Sequence, residues 1–301
     1  MSEIFFIIYG LLSVFFGFFY KYIFTRFLDG IPAGFGIVSI PIVIGIFAFS
    51  SGLDWIFLLL SILLFVIYWF DDLFEIPIFV RLLTIMFMTI NIAVLSSEYD
   101  ILSLVILFSL FFVLVNSINF YDGADLNFSI TSILALINMV SNFPISTHEA
   151  NLFYALLLFF AGFSIHNFFG NLYIGDSGSY ILSSVFIFYI AEKNIPIELI
   201  ILVLSPFTII IFETISISIC RIRNKQKIFM RHRFYLYQQM IDHYKDKKYL
   251  IIVFSSVLIP TITLNIVYSI SNNLYILCLV LMANILIFQL IKNKLCNNFK
   301  S

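Results

Sequence analysis

Amide and carboxylate side chains crowd together in the stretch NSINFYDGADLN, directly after a long apolar run. Asn116, Asn119 and Asp122 recur at every third position, so a helix that continues from the apolar run carries all three on one face. Gly123 allows the backbone to turn, and Asp125 follows within one further turn. Such groups are hard oxygen ligands. A polar seam that bridges two membrane helices is the plainer alternative.

An adjacent acid pair, Asp71 and Asp72, ends another apolar run in the stretch YWFDDLFEIP. Neighbouring carboxylates repel each other, so one of them can have a raised pKa and serve as a base, or both can lie near a cation. An acidic helix end at the level of the lipid headgroups is the alternative.

A glycine-containing stretch, IGDSGSYILS, precedes a further apolar run. Asp176 is placed as the N-cap of the helix that follows, and Gly175 and Gly178 allow close approach of the backbone. Free N–H groups at a helix start suit a phosphate, and a carboxylate beside them suits a divalent ion that bridges phosphates. A simple helix cap explains the same residues without any ligand.

The fourth polar group is a basic stretch, RIRNKQKIFMRHRFYLYQQM. A basic loop that sets membrane topology and meets anionic lipid accounts for its lysines. It accounts less well for the compact HRFYLYQ, because the guanidinium and imidazole donors of Arg233 and His232 suit a pyrophosphate.

Membrane helices must position these groups. The 301 residues are 62% hydrophobic, against about 45–50% apolar in soluble domains. The predicted fold class is therefore all-α, a polytopic transmembrane helix bundle of about eleven helices forming one integral-membrane domain over 1–301. The predicted helices are 3–21, 35–51, 53–70, 79–97, 100–117, 127–144, 150–169, 178–192, 196–219, 248–268 and 273–291.

The distribution of basic residues predicts the orientation of this bundle. With the N-terminus outside and the C-terminus in the cytoplasm, all of the 16 Lys and Arg residues except Lys193 lie on the cytoplasmic side. Oxygen ligands, a phosphate-receptive helix start and a basic clamp then share one face, as phosphoryl transfer requires. The loops that carry them are 22–34, 71–78, 116–127, 170–179 and 220–247.

These motifs resemble those of the polyprenyl-phosphate N-acetylhexosamine-1-phosphate transferases (glycosyltransferase family 4), which include the undecaprenyl-phosphate N-acetylglucosamine-1-phosphate transferases. The resemblance spans roughly residues 20–240 and rests on DD, NSINFYDGAD, GDSGS and HRFYLYQ, which stand in the family's order. It implies transfer of an N-acetylhexosamine 1-phosphate, or a related amino-sugar 1-phosphate, from a UDP-sugar to undecaprenyl phosphate, with release of UMP. The implied cofactor is Mg²⁺, with Mn²⁺ as an alternative.

The resemblance further implies a multi-pass protein of the bacterial cytoplasmic (inner) membrane, surrounded by membrane lipid, with its active site on the cytoplasmic face. Its product would start a lipid-linked surface glycan such as the O-antigen of lipopolysaccharide. A homodimer stays open, and no nucleic-acid partner is expected.

Carried over residue by residue, the resemblance implies a role for each motif position. Asp71 is the implied base or orienting group for the lipid phosphate, with Asp72 beside it. Asn119 and Asp176 are the implied Mg²⁺ ligands. The implied substrate-binding residues are Asn116, Asp122, Gly123, Asp125, Arg231, His232 and Arg233; among them, Asp122 and Asp125 would line the nucleotide side, and His232 and Arg233 would hold the pyrophosphate.

The chain departs from the family pattern at four places. The first inner loop, TRFLDGIPAGFGI, lacks the Arg-Ser-x-His part; Leu126 replaces a glycine, Glu213 an aspartate and Tyr235 the second histidine of the last motif. Two alternatives therefore stay open beside the transferase. One is a secondary transporter or ion-coupled carrier that uses the acids as an ion site, and the other is a family member that binds lipid phosphate without turnover.

Overall fold

The computed structural model describes residues 3–25, 31–50, 54–74, 76–95, 100–193, 195–226, 233–244 and 248–298. These residues form helices and turns, with no β-strand among them, so the predicted all-α fold is confirmed. Within this part of the chain, seven helices are long and apolar enough to cross a membrane, or eight if a bent pair counts as one span. The chain is therefore a multi-pass membrane protein. The count of eleven spans and the orientation stay predictions.

The chain divides into two compact units, of which the first is Met1–Ile195. Its helices are α1 (Glu3–Leu11), α2 (Ser13–Phe24), α3 (Ile40–Ser50), α4 (Trp55–Phe74), α5 (Ile78–Leu95), α6 (Ile101–Tyr121), α7 (Asn127–Asn142), α8 (Thr147–Phe168) and α9 (Gly175–Glu192). A 3₁₀ segment, Phe35–Ser39, leads into α3.

Helix α9 is the buried centre of the first unit, with α3, α4, α5, α6 and the 3₁₀ segment packed around it. Every residue of α9 between its first and last turns is buried, which is expected of a helix with apolar and small residues on all sides. Tyr180 stacks on Tyr68 with ring centroids 4.1 Å apart, and its hydroxyl donates to the carbonyl of Thr84 at 2.8 Å. The N-terminal end of α9 is thereby fixed against α4 and α5.

Several predicted boundaries are wrong. The predicted helix 3–21 is two helices, α1 and α2, with a 52° bend between them. The third predicted helix, 53–70, extends to Phe74, so Asp71 and Asp72 lie inside its last turns. His166 of α8 places Nε2 2.7 Å from the carbonyl oxygen of Val14 and so joins α8 to α2.

The second unit, Pro196–Ser301, contains α10 (Ile197–Val203), α11 (Thr208–Arg223), α12 (Leu236–Tyr244), α13 (Tyr249–Ile270) and α14 (Leu274–Asn298). The single predicted helix 196–219 is wrong, because the 3₁₀ segment Ser205–Phe207, which contains Pro206, separates α10 from α11. Leu202, Leu264 and Leu277 form an apolar core between α10, α13 and α14.

Candidate active site

Asp72 joins α4 to the first turn of α9. Its Oδ1 accepts a hydrogen bond from the N–H of Asp176 at 2.7 Å, and its Oδ2 accepts one from the N–H of Ser177 at 3.1 Å. A carboxylate is favourable here because the free N–H groups give a helix start partial positive charge. The prediction that Asp176 is the N-cap is therefore wrong. Asp176 lies inside the first turn, and the capping carboxylate comes from α4.

Asp122 completes the cap of α9 from the end of α6. Its Oδ2 accepts from the N–H of Gly175 at 3.0 Å, while its Oδ1 is buried and has no hydrogen-bond partner among the described residues. Burial raises the pKa of Asp122 well above its ordinary value, and the charges of Asp72 and Asp176 raise it further. Since carboxylates already accept from the first N–H groups of α9, the expectation that this helix start is open to a phosphate is wrong for this structure.

Arg81, near the start of α5, pairs with two acids from different helices. Its Nη2 donates to Asp71 Oδ1 at 2.8 Å, its Nε lies 2.6 Å from Asp71 Oδ2, and its Nη1 lies 3.3 Å from Asp176 Oδ2. The N–H of Ile76 also donates to Asp71 Oδ1, at 2.8 Å. Sequence reasoning used Arg81 only as a marker of membrane orientation. Its isolation in an apolar helix, nine residues after the acid pair, was the available signal.

The cluster carries more negative than positive charge. Arg81 is the cation seen to pair with these acids within the described residues, and the carboxylates of Asp71 and Asp176 also interact closely with each other. Two carboxylates that lie this close to each other are stable only when one of them binds a proton or a cation lies beside them. We call the four acids Asp71, Asp72, Asp122 and Asp176 the carboxylate cluster.

The donor set fits Mg²⁺ that is shared with a substrate. Within the described residues, no three or more His, Cys, Asp or Glu side chains are arranged to hold a metal ion by themselves. Mg²⁺ usually binds one or two protein carboxylates and completes its shell with water and substrate phosphates. Asp176 suits that mode because its side chain is 20% exposed. The oxygens of the other acids in the cluster are buried or already engaged in the contacts described above, so Asp176 is the more accessible carboxylate.

The structure places the remaining residues of the 116–127 motif around the end of α6. Asn116 donates to the carbonyl of Phe112 within its own helix, at 2.7 Å. Asn119 is half-buried in the last turn of α6, and no side-chain hydrogen bond of it is seen within the described residues. Asp125 lies near Tyr173, which belongs to the turn after α8. Burial raises the pKa of Tyr173, and the nearby charges of Asp125 and Asp122 raise it further.

Leu126, where the family has glycine, adopts left-handed backbone angles with φ +65°. The exposed Gly123 is not among the positive-φ residues, so the left-handed position of this turn is Leu126. Asn167 holds it there: its Oδ1 accepts from the N–H of Leu126 at 2.5 Å, and its Nδ2 donates to the carbonyl of Leu172 at 3.0 Å. Sequence reasoning missed Asn167, a completely buried amide that joins the turns after α6 and α8.

The first inner loop docks directly on the start of α9. The N–H of Tyr173 donates to the carbonyl of Pro32, and the N–H of Gly36 donates to the carbonyl of Ile174, both at 3.0 Å. A Cβ on Gly36 would collide with the backbone of Gly178. The glycines retained in this shortened loop therefore permit backbone contact, whereas Asp29 lies outside the described residues.

The basic segment belongs to the second unit. Arg231 and His232 lie outside the described residues, and Arg233 is exposed, with Nη2 3.0 Å from Asp242 Oδ1. Tyr235, which stands where the family has its second histidine, is 2% exposed with its hydroxyl 3.2 Å from that of Thr214. Tyr235 thus anchors the start of α12 on α11.

The helical fold and the carboxylate cluster define a multi-pass membrane protein with an acidic site at the N-terminal end of the buried helix α9. Residues 54–193 match the model of glycosyl transferase family 4, which confirms the predicted family resemblance. The match runs from α4 through α9 and includes the whole carboxylate cluster, and it ends before the basic segment. No curated protein matches the chain significantly.

Proposed function

We propose that the chain is a UDP-sugar:undecaprenyl-phosphate sugar-1-phosphate transferase. The observation that carries the proposal is that Asp72, Asp122 and Asp176 meet at the first turn of α9. All three come from motifs within the segment that matches the transferase family. The donor is a UDP-N-acetylhexosamine or a related UDP-amino sugar. The product starts a lipid-linked surface glycan such as O-antigen at the cytoplasmic face of the inner membrane.

In the proposed reaction an oxygen of the lipid phosphate attacks the β-phosphorus of the UDP-sugar. The bond from the β-phosphorus to the bridging oxygen breaks, and that oxygen leaves with UMP. Bound Mg²⁺ would neutralise charge on the pyrophosphate. By the motif resemblance, Asp176 and Asn119 would hold the ion. The same resemblance gives Arg231, His232 and Arg233 the role of contacting the donor pyrophosphate.

Of the two roles open for Asp71, its contacts favour the orienting one. Both of its oxygens already accept hydrogen bonds or pair with Arg81, and Ile76 supplies a further donor. With both oxygens already engaged, Asp71 is better placed to hold Arg81 than to take a proton from a substrate. We propose that Asp71 holds the Arg81 guanidinium where it meets the incoming lipid phosphate, while Asp72 fixes the start of α9.

The experiment is UMP release by the purified protein with undecaprenyl phosphate, Mg²⁺ and a panel of UDP-amino sugars. We expect release with at least one donor, loss of release when EDTA is present, and a fall of about 100-fold in Asp176→Asn. Asp100→Asn is the matched control, because Asp100 caps the opposite end of α6 and asparagine caps as well. Absence of UMP with every donor would overturn the proposal.

A further inference from the structure

A buried ion pair in the second unit links three helices around one carboxylate. Glu213 of α11 is 2% exposed, and its Oε1 accepts from Lys292 Nζ of α14 at 2.6 Å. The same oxygen accepts from the N–H of Leu236, the first residue of α12, at 3.2 Å. The side chain of Lys292 is itself only 16% exposed.

Each partner explains why the other is tolerated. An unpaired carboxylate buried among apolar helices is strongly destabilising, so Glu213 requires the ammonium group of Lys292. The paired carboxylate then satisfies one of the free N–H groups at the start of α12. Because α12 has only nine residues, its helical structure depends on such anchors more than on its own propensity.

The residues of the basic segment that the structure describes lead directly into this anchor. Arg233 lies three residues before Leu236, and Tyr235 between them contacts Thr214, the neighbour of Glu213. Nearly one turn further along α12, Gln239 Oε1 accepts from Cys296 Sγ of α14 at 3.0 Å. Helix α14 therefore supports the first half of the short helix that follows Arg233, through Glu213 and through Gln239.

We infer that Lys292 is a positioning residue for donor binding, because through Glu213 it fixes the first turn of α12 and so the backbone that presents Arg233. The inference rests on the proposed function, in which Arg233 contacts the pyrophosphate of the UDP-sugar. It assigns to the last helix a part in donor recognition, and it accounts for the glutamate that replaces the family's aspartate at position 213.

The test compares Lys292→Met with Lys294→Met, a control on the same helix with an exposed side chain. We expect Lys292→Met to raise KM for the UDP-sugar about tenfold while kcat and KM for undecaprenyl phosphate stay within about twofold. Lys292→Arg restores the donor KM, since it restores the cation. Hydrogen exchange of residues 233–240 increases in Lys292→Met and is unchanged in Lys294→Met.

The double variant Glu213→Leu/Lys292→Met guards against simple misfolding, because it leaves no unpaired charge in the core. We expect it to fold and still show the raised donor KM and faster exchange. Equal exchange in the Lys292 and Lys294 variants overturns the inference, as does faster exchange with an unchanged donor KM. A wild-type protein without UMP release overturns the proposed function instead, and exchange still decides whether Lys292 anchors α12.

Discussion

At the scale of single residues, Arg81 governs the charge balance of the carboxylate cluster. It forms a two-pronged pair with Asp71, whose side chain is fully buried, and it reaches Asp176 as well. An ammonium group cannot reproduce this geometry, because lysine presents a single charged point where arginine presents a planar fork. The pair is therefore specific to arginine.

A double-mutant cycle on Arg81 and Asp71 measures this pairing. Arg81→Gln leaves Asp71 as an unpaired buried charge, so we expect a clear fall in the midpoint of thermal unfolding in detergent. Adding Asp71→Asn removes that charge, and the double variant should unfold at a higher temperature than Arg81→Gln alone. Additive effects of the two substitutions would show that the pair contributes no coupling. UMP release should fall at least about tenfold in Arg81→Lys.

The left-handed conformation of Leu126 predicts that glycine is more stable than alanine at this position, which is the reverse of their order in an ordinary helix. Glycine adopts positive φ freely, whereas a residue with a Cβ pays about 1–2 kcal/mol there. Leu126→Gly should therefore unfold at a higher temperature than Leu126→Ala, although both lose the leucine side chain. At the exposed helical position Val105 the order should be normal, with alanine above glycine. The same order at both positions would contradict the left-handed assignment.

At the scale of elements, the start of α9 depends on contacts from distant parts of the chain. Asp72 of α4 and Asp122 at the end of α6 accept its N–H groups, and the first inner loop lies against its backbone. The site is thus assembled by packing of helices and loops around α9. A change in how the first inner loop docks should disturb the capping of α9, even though that loop carries no member of the carboxylate cluster.

Gly36→Ala tests this dependence. The added methyl group would meet backbone atoms of Gly178, which cannot rotate away as a side chain can. Overpacking of this kind costs about 1–3 kcal/mol, so we expect a lower unfolding midpoint and a loss of UMP release together. Ser184→Ala, also against the core but on α9 itself, is the control and should change both little. Unchanged stability in Gly36→Ala would mean that the loop does not dock as described.

The sequence predicted which segments hold the site, and it failed where long-range contacts decide. Motif spacing located the acid pair, the 116–127 stretch and the start of α9, because local patterns of polar and apolar residues were enough. It misassigned the cap of α9, since the capping carboxylate of Asp72 lies more than 100 positions away. Asn167 was missed for the same reason, because its partners lie in another turn and leave no signature in its own neighbourhood. Arg81 did carry a local signal, its isolation in an apolar helix, but that signal does not name its partners.

At the scale of the molecule, Lys193 is the exception to the predicted charge asymmetry, and the structure gives it a buried acidic partner. Its Nζ lies 3.4 Å from Oε1 of the buried Glu149, to which Ser50 and Tyr189 also donate. Lys193 follows the C-terminal end of α9, whereas Asp176 lies in its first turn. Since orientation follows the overall bias of Lys and Arg, this one lysine against the other 15 does not reverse the predicted topology.

Labelling of single cysteines on intact cells tests that topology and separates the transferase from the transporter. After Cys220, Cys278 and Cys296 are replaced by serine, we expect an impermeant maleimide to label Asp100→Cys from outside. Asn224→Cys, which is also exposed, should react only after permeabilisation. Asp176→Cys should behave like Asn224→Cys if the carboxylate cluster opens to the cytoplasm alone. Labelling of Asp176→Cys from outside would instead support the carrier, because alternating access exposes an ion site to both faces.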